Sequence, residues 1–155
     1  MRNPLASPGS TSLGLLLARV PLGAFFVLAG FAKFTAPGGA AAFASQAAGA
    51  VPSWVPDQVG RYYLHAVPYA EVVVGASLVL GVAGRLGGLV ASLMLASFMI
   101  AVTGVRSGGG PFQPNVIFLG VAVLVLLAGP GSLSMDRVMW GKPRREGGGG
   151  GRSDR

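Results

Sequence analysis

Four polar side chains interrupt otherwise apolar runs of this sequence: Arg19, Lys33, Glu71 and Asn115. An ionised side chain inside a bilayer is costly, so it must meet a partner, face water or be held neutral. We interpret the four as one candidate polar cluster centred on Glu71. Glu71 either belongs to a structural ion pair that fixes helix register, or is a site residue that accepts a proton or anchors a small ligand.

A second set, Tyr62, His65 and Tyr69, shares one helix face at spacings of three and four. Phenol and imidazole groups can both donate a hydrogen bond to a quinone carbonyl, so this stripe is a candidate ligand-binding surface. The alternative is a set of aromatic residues at the membrane interface. Pro68 lies within the stripe and would loosen the backbone hydrogen bonds nearby.

The sequence excludes several kinds of redox centre. Cysteine is absent, which removes disulfides, thiolate metal sites, iron–sulfur clusters and covalent haem. With His65 as the single histidine, no histidine cluster can bind a metal. We therefore expect no metal site and no intrinsic cofactor, and a quinone is the candidate bound group.

Composition places the chain in a membrane. Of its 155 residues 52% are hydrophobic and 11% charged, and the twenty residues 86–105 carry no charge, which is enough to cross about 30 Å of hydrocarbon. The formal net charge of +7 does not indicate nucleic-acid binding, because half of the basic residues lie in positions 137–155. We expect the lipid bilayer as the main partner.

The predicted fold is all-α: a polytopic membrane protein with a four-transmembrane-helix bundle at residues 11–140. The helices are expected at about 13–33, 62–84, 86–105 and 113–128, with an N-terminal tail at 1–10 and a disordered, basic, glycine-rich tail at 141–155. A signal peptide is disfavoured at the first helix because Arg19 interrupts the apolar run. Residues 35–61 form an outer loop whose segment 40–50 is a surface helix, a lid or a plain loop.

Spacing predicts how the helices pack. Arg19, Gly23, Phe26, Gly30 and Lys33 recur at four, three, four and three, which puts them on one face directed into the bundle. The second and third helices should form an antiparallel hairpin with a turn built from the glycines at 84, 87 and 88. Ser134 or Asp136 is expected to cap a short final turn at 137–140.

Basic residues predict the orientation of the helices. One side holds Arg2, Arg85, Arg137, Lys142, Arg144 and Arg145, and the other holds Lys33, Arg61 and Arg106. The richer side is cytoplasmic by the positive-inside rule, so both termini lie inside and Arg85 is a topology anchor. At 1.5 Å per residue, Lys33, His65, Glu71 and Asn115 fall within about 10 Å of the outer surface and Arg19 about 20 Å from it. Arg19 either reaches toward Glu71 or turns to the cytoplasmic side.

Several short motifs are similar to those of a known family: Arg19 in the first helix, GFAKF at 30–34, PYAE at 68–71, GVAGR at 81–85 and GPGSLSMD at 129–136. In their order and spacing they resemble the DoxX family of small four-helix bacterial membrane proteins, over residues 13–136. The resemblance implies an inner-membrane location and an association with redox metabolism. Some members look like the small subunit of a thiosulfate:quinone oxidoreductase, and others accompany enzymes of oxidative or thiol stress.

Three functions remain open from the sequence. The first is a cofactor-free membrane subunit of a quinone- or thiol-linked redox assembly, whose partner subunit carries the redox group. The second is a membrane scaffold without a catalytic role, and the third is a carrier for a small solute, which four short helices would need a homo-oligomer to form. No self-contained catalytic motif is present, so the chain is at most an accessory subunit of an oxidoreductase.

Overall fold

The computed structural model describes residues 8–105, 114–129 and 131–140, and this part of the chain is helical. Its helices are α1 (Pro8–Thr35), α2 (Gly39–Ala47), α3 (Asp57–Leu80), α4 (Gly84–Val105), α5 (Pro114–Ala128) and α6 (Met135–Trp140). A short 3-10 turn, Ala48–Ala50, follows α2. Of the expected N-terminal tail at 1–10, residues 8–10 belong instead to α1. Residues 1–7, the expected tail at 141–155, and residues 106–113 between the third and fourth apolar helices lie outside the described residues.

Among the residues that the structure describes, three helices are long and apolar enough to cross a membrane: Gly9–Thr35, Asp57–Leu80 and Gly84–Ala101. The fourth apolar helix, α5, has 15 residues and is about 22 Å long at 1.5 Å per residue. The chain is therefore a helical membrane protein. We call the end of the bundle that holds the α3–α4 turn and α6 the α6 end, and the opposite end, which holds α2, the α2 end.

Helices α1 and α3 pack backbone to backbone. A Cβ on Gly23 would lie 2.7 Å from the Gly75 carbonyl oxygen, and a Cβ on Gly75 would lie 2.5 Å from the Gly23 carbonyl oxygen. Only a pair of glycines permits this approach. The inward face predicted for α1 is confirmed, because Arg19 and Phe26 are buried on it.

The α3–α4 turn differs from the prediction. Helix α3 ends at Leu80, and the left-handed turn residue is Gly81 (φ 69°), followed by Ala83 (φ 49°). Gly84 already begins α4. Gly87 and Gly88 are not turn residues but packing positions, against the side chains of α3 and the backbone of α5 respectively. Gly81 takes the turn because a left-handed φ is strained for other residues.

The apolar core lies between α1, α3, α4 and α5. It consists of Leu22, Phe26, Val67, Val74, Leu78, Ala91, Met94, Leu95, Ala122 and Val125. Large apolar side chains such as Leu17 and Leu28 point outward instead, as expected for surfaces that contact lipid. The core holds the helices as a bundle, and the two buried charged side chains, Arg19 and Glu71, lie toward its opposite ends.

Candidate functional site

An ion pair between α1 and α3 is the centre of the α2 end. The Lys33 ammonium donates to both Glu71 carboxylate oxygens, with Nζ–Oε distances of 2.8 and 2.7 Å. Glu71 is 3% exposed through its side chain and Lys33 21%, so the carboxylate is buried while the ammonium still reaches the surface. Lys33 Nζ also approaches the Ala29 carbonyl oxygen at 3.3 Å.

The small size of Gly30 brings Lys33 and Glu71 together. A Cβ on Gly30 would lie 2.8 Å from the Pro68 carbonyl oxygen and 3.0 Å from the Glu71 Cβ, so α1 and α3 are almost in backbone contact there. Lys33 follows Gly30 by three residues and lies above it on the same face of α1. The close approach thus delivers the ammonium directly to the carboxylate.

Helix α2 covers the pair. Lys33 Nζ lies 4.9 Å from the centre of the Phe43 ring, within the range of a cation–π contact. Residues 39–47 are helical, so of the three alternatives for segment 40–50 the plain loop is wrong. Phe43 packs against the core on the other side, which links the polar pair to the apolar interior.

An apolar cavity of about 290 Å³ lies beside the pair, below α2 and the segment that follows it. Phe43 and Trp54 belong to its wall on the α2 side, and Leu64, Val67 and Phe98 belong to its wall on α3 and α4. Pro68 has no N–H, so the Leu64 carbonyl lacks its usual helical donor at this wall. A cavity of this kind, apolar with few polar groups, is typical of a small-molecule site.

The polar group of this cavity is a pair of hydroxyls. The Tyr63 and Ser97 hydroxyls are hydrogen-bonded to each other across α3 and α4. Ser97 Oγ donates to the Met94 carbonyl oxygen at 2.7 Å, which uses its one proton. Tyr63 is therefore the donor toward Ser97, and its phenol proton is the one available to a bound acceptor.

The three aromatic or imidazole residues of the candidate stripe lie elsewhere. Tyr62 is 78% exposed, Tyr69 is 61% exposed and His65 is exposed, so all three are on the outside of α3. Tyr69 packs edge-on against Phe34 at a ring-centre distance of 4.9 Å. The structure brings none of them to the cavity.

Sequence reasoning missed Tyr63 and Ser97. Tyr63, Val67 and Glu71 follow one another at intervals of four, which places Tyr63 on the side of α3 that carries the buried carboxylate. That spacing was available from the sequence and identifies Tyr63. Ser97 has no comparable signal, because its importance comes from the contact between two helices.

Arg19 is separated from Glu71 and turns to the α6 end. Its guanidinium donates to the Leu133 carbonyl oxygen and is 2% exposed. Its Nε and Nη1 have no hydrogen-bond partner among the described residues. A Cβ on Gly81 would lie 1.6 Å from Nη1, so the guanidinium lies directly against this glycine.

The segment before α6 and α6 itself close this end. Asp136 accepts hydrogen bonds from the backbone N–H groups of Ala83 (2.7 Å) and Gly84 (2.9 Å), and its own N–H donates to the Gly81 carbonyl oxygen (3.2 Å). Ser134 or Asp136 was expected to cap the final turn, but the Ser134 hydroxyl donates to the Gly131 carbonyl oxygen (2.9 Å) and Asp136 caps α4. Its carboxylate satisfies N-terminal N–H groups that α4 itself cannot. Ser132 bonds to Ser12 of α1.

Two further candidates stand apart from both groups. Asn115 is half-buried in the first turn of α5, and within the described part of the chain no hydrogen bond joins it to Lys33 or Glu71. Arg85 is exposed at the α6 end beside Gly129. Of the four residues in the candidate polar cluster, the structure thus brings together Lys33 and Glu71.

Among the described residues, no three His, Asp or Glu side chains come together in a way that would hold a metal ion. The comparisons with known proteins agree with a membrane protein. The family model described as DoxX matches residues 14–104, which is more than half of the chain. Searches of curated proteins and of solved structures returned no match.

Proposed function

This chain belongs to the DoxX family, and from that premise we propose that it is the cofactor-free membrane subunit of a redox assembly. In this proposal it holds a quinone-type ring in the cavity beside α2, while a partner subunit carries the redox group. The observation that carries the proposal is the apolar cavity whose polar group is the Tyr63–Ser97 hydroxyl pair.

The lining residues fit such a ring. Phe43, Trp54 and Phe98 offer aromatic surfaces, and a cavity of about 290 Å³ is near the lower limit for small-molecule sites. Tyr63 can turn its phenol proton from Ser97 to a ring carbonyl, while Ser97 keeps its bond to Met94. A quinone, when bound, supplies the electron-accepting chemistry that the side chains of this sequence lack.

The ion pair has a supporting role in this proposal. Glu71 and Lys33 lie at the same end as the cavity, and Phe43 contacts both Lys33 and the cavity. Glu71 can accept a proton at the edge of this apolar site, and the partly exposed Lys33 can take that proton on after its ammonium has released one of its own protons to the surface.

We also propose that the chain crosses the inner membrane of a bacterial cell four times, with both termini in the cytoplasm. The contacts of Gly88 with Ala122 and Leu126 pair the start of α4 with the end of α5, which supports an antiparallel fourth crossing. The α6 end carries Arg85, and the basic residues at 142–145 follow α6 in sequence. The positive-inside rule then puts this end in the cytoplasm.

Ligand binding tests the proposal directly. The chain has two tryptophans, and a Trp140→Phe background leaves Trp54 of the cavity wall as the single emitter. In lipid nanodiscs, a benzoquinone with one isoprene unit should quench Trp54 emission saturably. Tyr63→Phe should weaken this binding about three- to tenfold, because a neutral hydrogen bond contributes about 0.5–1.5 kcal/mol.

Tyr62→Phe is the matched control, since Tyr62 loses the same hydroxyl on the outside of the same helix; its binding should stay within about twofold. Absence of saturable quenching in the parent protein would overturn quinone binding. Purification from native membranes should also retain a cofactor-bearing protein in a fixed ratio. If neither a quinone nor such a protein is bound, the redox-subunit proposal is overturned.

A further inference from the structure

A second apolar space adjoins the cavity. It has a volume of about 280 Å³ and lies between α3 and α4. Tyr63, Val67 and Ser97 belong to the walls of both spaces, so the hydroxyl pair stands where the two meet. The second space, which we call the α3–α4 groove, also contacts Ala66, Ala70 and Leu93.

The α3–α4 groove faces the surroundings of the bundle. Leu93 is 63% exposed and Ala66 is exposed, although both line the groove. Both helices are long and apolar enough to cross a membrane, so the groove opens to hydrocarbon and not to water. From Tyr63 to Ala70 it extends seven residues along α3, or about 10 Å at 1.5 Å per residue.

We propose that the α3–α4 groove holds the isoprenoid tail of a ligand whose ring occupies the cavity, so that the ligand reaches the cavity sideways from the bilayer. This inference rests on the proposed function and names its substrate class: lipid-soluble tailed quinones. Small side chains at Ala66 and Ala70 leave the width that a hydrocarbon chain needs. The shared wall makes ring site and tail site continuous.

The groove gives the quinone tail a passage into the protein and adds little to the binding affinity. Lipid tails are as apolar as the groove, so moving an isoprenoid tail from bilayer to groove gains little from the hydrophobic effect. Short- and long-tailed quinones should therefore bind with similar affinity in nanodiscs. Filling the groove should exclude the long-tailed form alone.

The experiment compares two probes in the Trp140→Phe background: a benzoquinone with one isoprene unit and the same ring with eight. Ala66→Phe and Leu93→Phe fill the groove from α3 and from α4, at exposed positions that leave the core unchanged, and both keep Trp54 as the single emitter. Each should weaken long-tailed binding at least tenfold and leave short-tailed binding within twofold. Val73→Phe, on an exposed part of α3 outside the groove, should change neither.

The possible failures are distinct. If both groove variants bind both quinones normally, the tail site is overturned while the proposed function stands. If they lose both quinones equally, groove and cavity are not separate sites and the inference fails. If the groove variants change the oligomeric state but bind both quinones normally, the groove is a contact surface for a second copy of the chain, and the proposed tail site is overturned. If the parent protein binds neither quinone, the proposed function itself fails.

Discussion

The two ends of the bundle each bury a charge, and they treat it differently. At the α2 end, Glu71 is neutralised by a direct ion pair with Lys33, which remains partly exposed beside a cavity. At the α6 end, Arg19 is 2% exposed and bonds to a backbone carbonyl, and two of its nitrogens have no hydrogen-bond partner within the described part of the chain. A pair that reaches the surface can exchange protons, whereas an enclosed guanidinium fixes segments of the chain. We infer that the α2 end holds a functional site and that the α6 end has a structural, fastening role.

The largest effect should come from Gly81→Ala. The new Cβ would lie 1.6 Å from Arg19 Nη1, and the residue has a left-handed φ of 69°. Displacing the guanidinium leaves a buried charge without its carbonyl partner, and the backbone adds strain of about 1–2 kcal/mol. We expect a loss of about 4 kcal/mol in the free energy of unfolding, measured by denaturation in detergent.

Gly14→Ala is the control for this substitution, because a Cβ at Gly14 meets nothing within 4 Å. It should be neutral or stabilising by up to about 1 kcal/mol, since it lies inside α1. Equal stability of the two variants would contradict the fastening role of the α6 end.

The next effect concerns the ion pair. Lys33→Met leaves the Glu71 carboxylate buried without a partner and should cost about 3 kcal/mol of unfolding free energy. Lys33→Met combined with Glu71→Met removes both charges and should recover most of that loss. Stability of the single and double variants, measured as a double-mutant cycle, isolates the pair. A double variant as unstable as the single one would show that the pair is not coupled.

Asp136→Ala should have an intermediate effect. It removes two hydrogen bonds to the start of α4, at Ala83 and Gly84, and should cost about 1–2 kcal/mol. Asp136→Asn keeps an acceptor and should lose less. Hydrogen exchange should become faster in the first turn of α4 and stay unchanged in the first turn of α3. Uniformly faster exchange would mean that Asp136 supports the whole fold and not this helix start.

The smallest effect on stability should come from Glu71→Gln. The amide keeps an oxygen for Lys33, so membrane abundance should fall by no more than about twofold. If Glu71 is a site residue, the activity of the assembly in cells should nevertheless be lost. Activity that declines only in proportion to abundance would support the structural reading of the pair. This outcome separates the two roles that the α2 end combines.

The pairing of Lys33 with Glu71 was accessible from the sequence because two antiparallel helices put residues of equal depth at the same level. The inward face of α1 was accessible for the same reason, from periodicity alone. The partner of Arg19 was not accessible from the sequence. At its depth in the membrane the side chain could reach toward either surface, and the group that it contacts is the Leu133 backbone carbonyl, which has no sequence signal. The predicted α3–α4 turn was wrong by three residues, because Gly81 and Gly84 offer the same backbone freedom in the sequence. What marks Gly81 as the turn residue is its contact with Arg19, which the structure alone shows.

The cavity was beyond sequence reasoning altogether. A cavity forms where side chains fail to fill the space between helices, and this depends on how far apart the helices lie. The pattern of Tyr62, His65 and Tyr69 identified a shared face but not which way that face turns. The structure turns it outward.

The capping of α4 by Asp136 has a consequence for biosynthesis. The two partners, Gly84 and Asp136, are 52 residues apart in the chain, so the start of α4 is synthesised before the residue that caps it. Until then the N–H groups at its start depend on water and lipid headgroups. The start of α4 is therefore capped only after α6 has been translated and has packed against it, and a chain that stops before residue 136 lacks this cap.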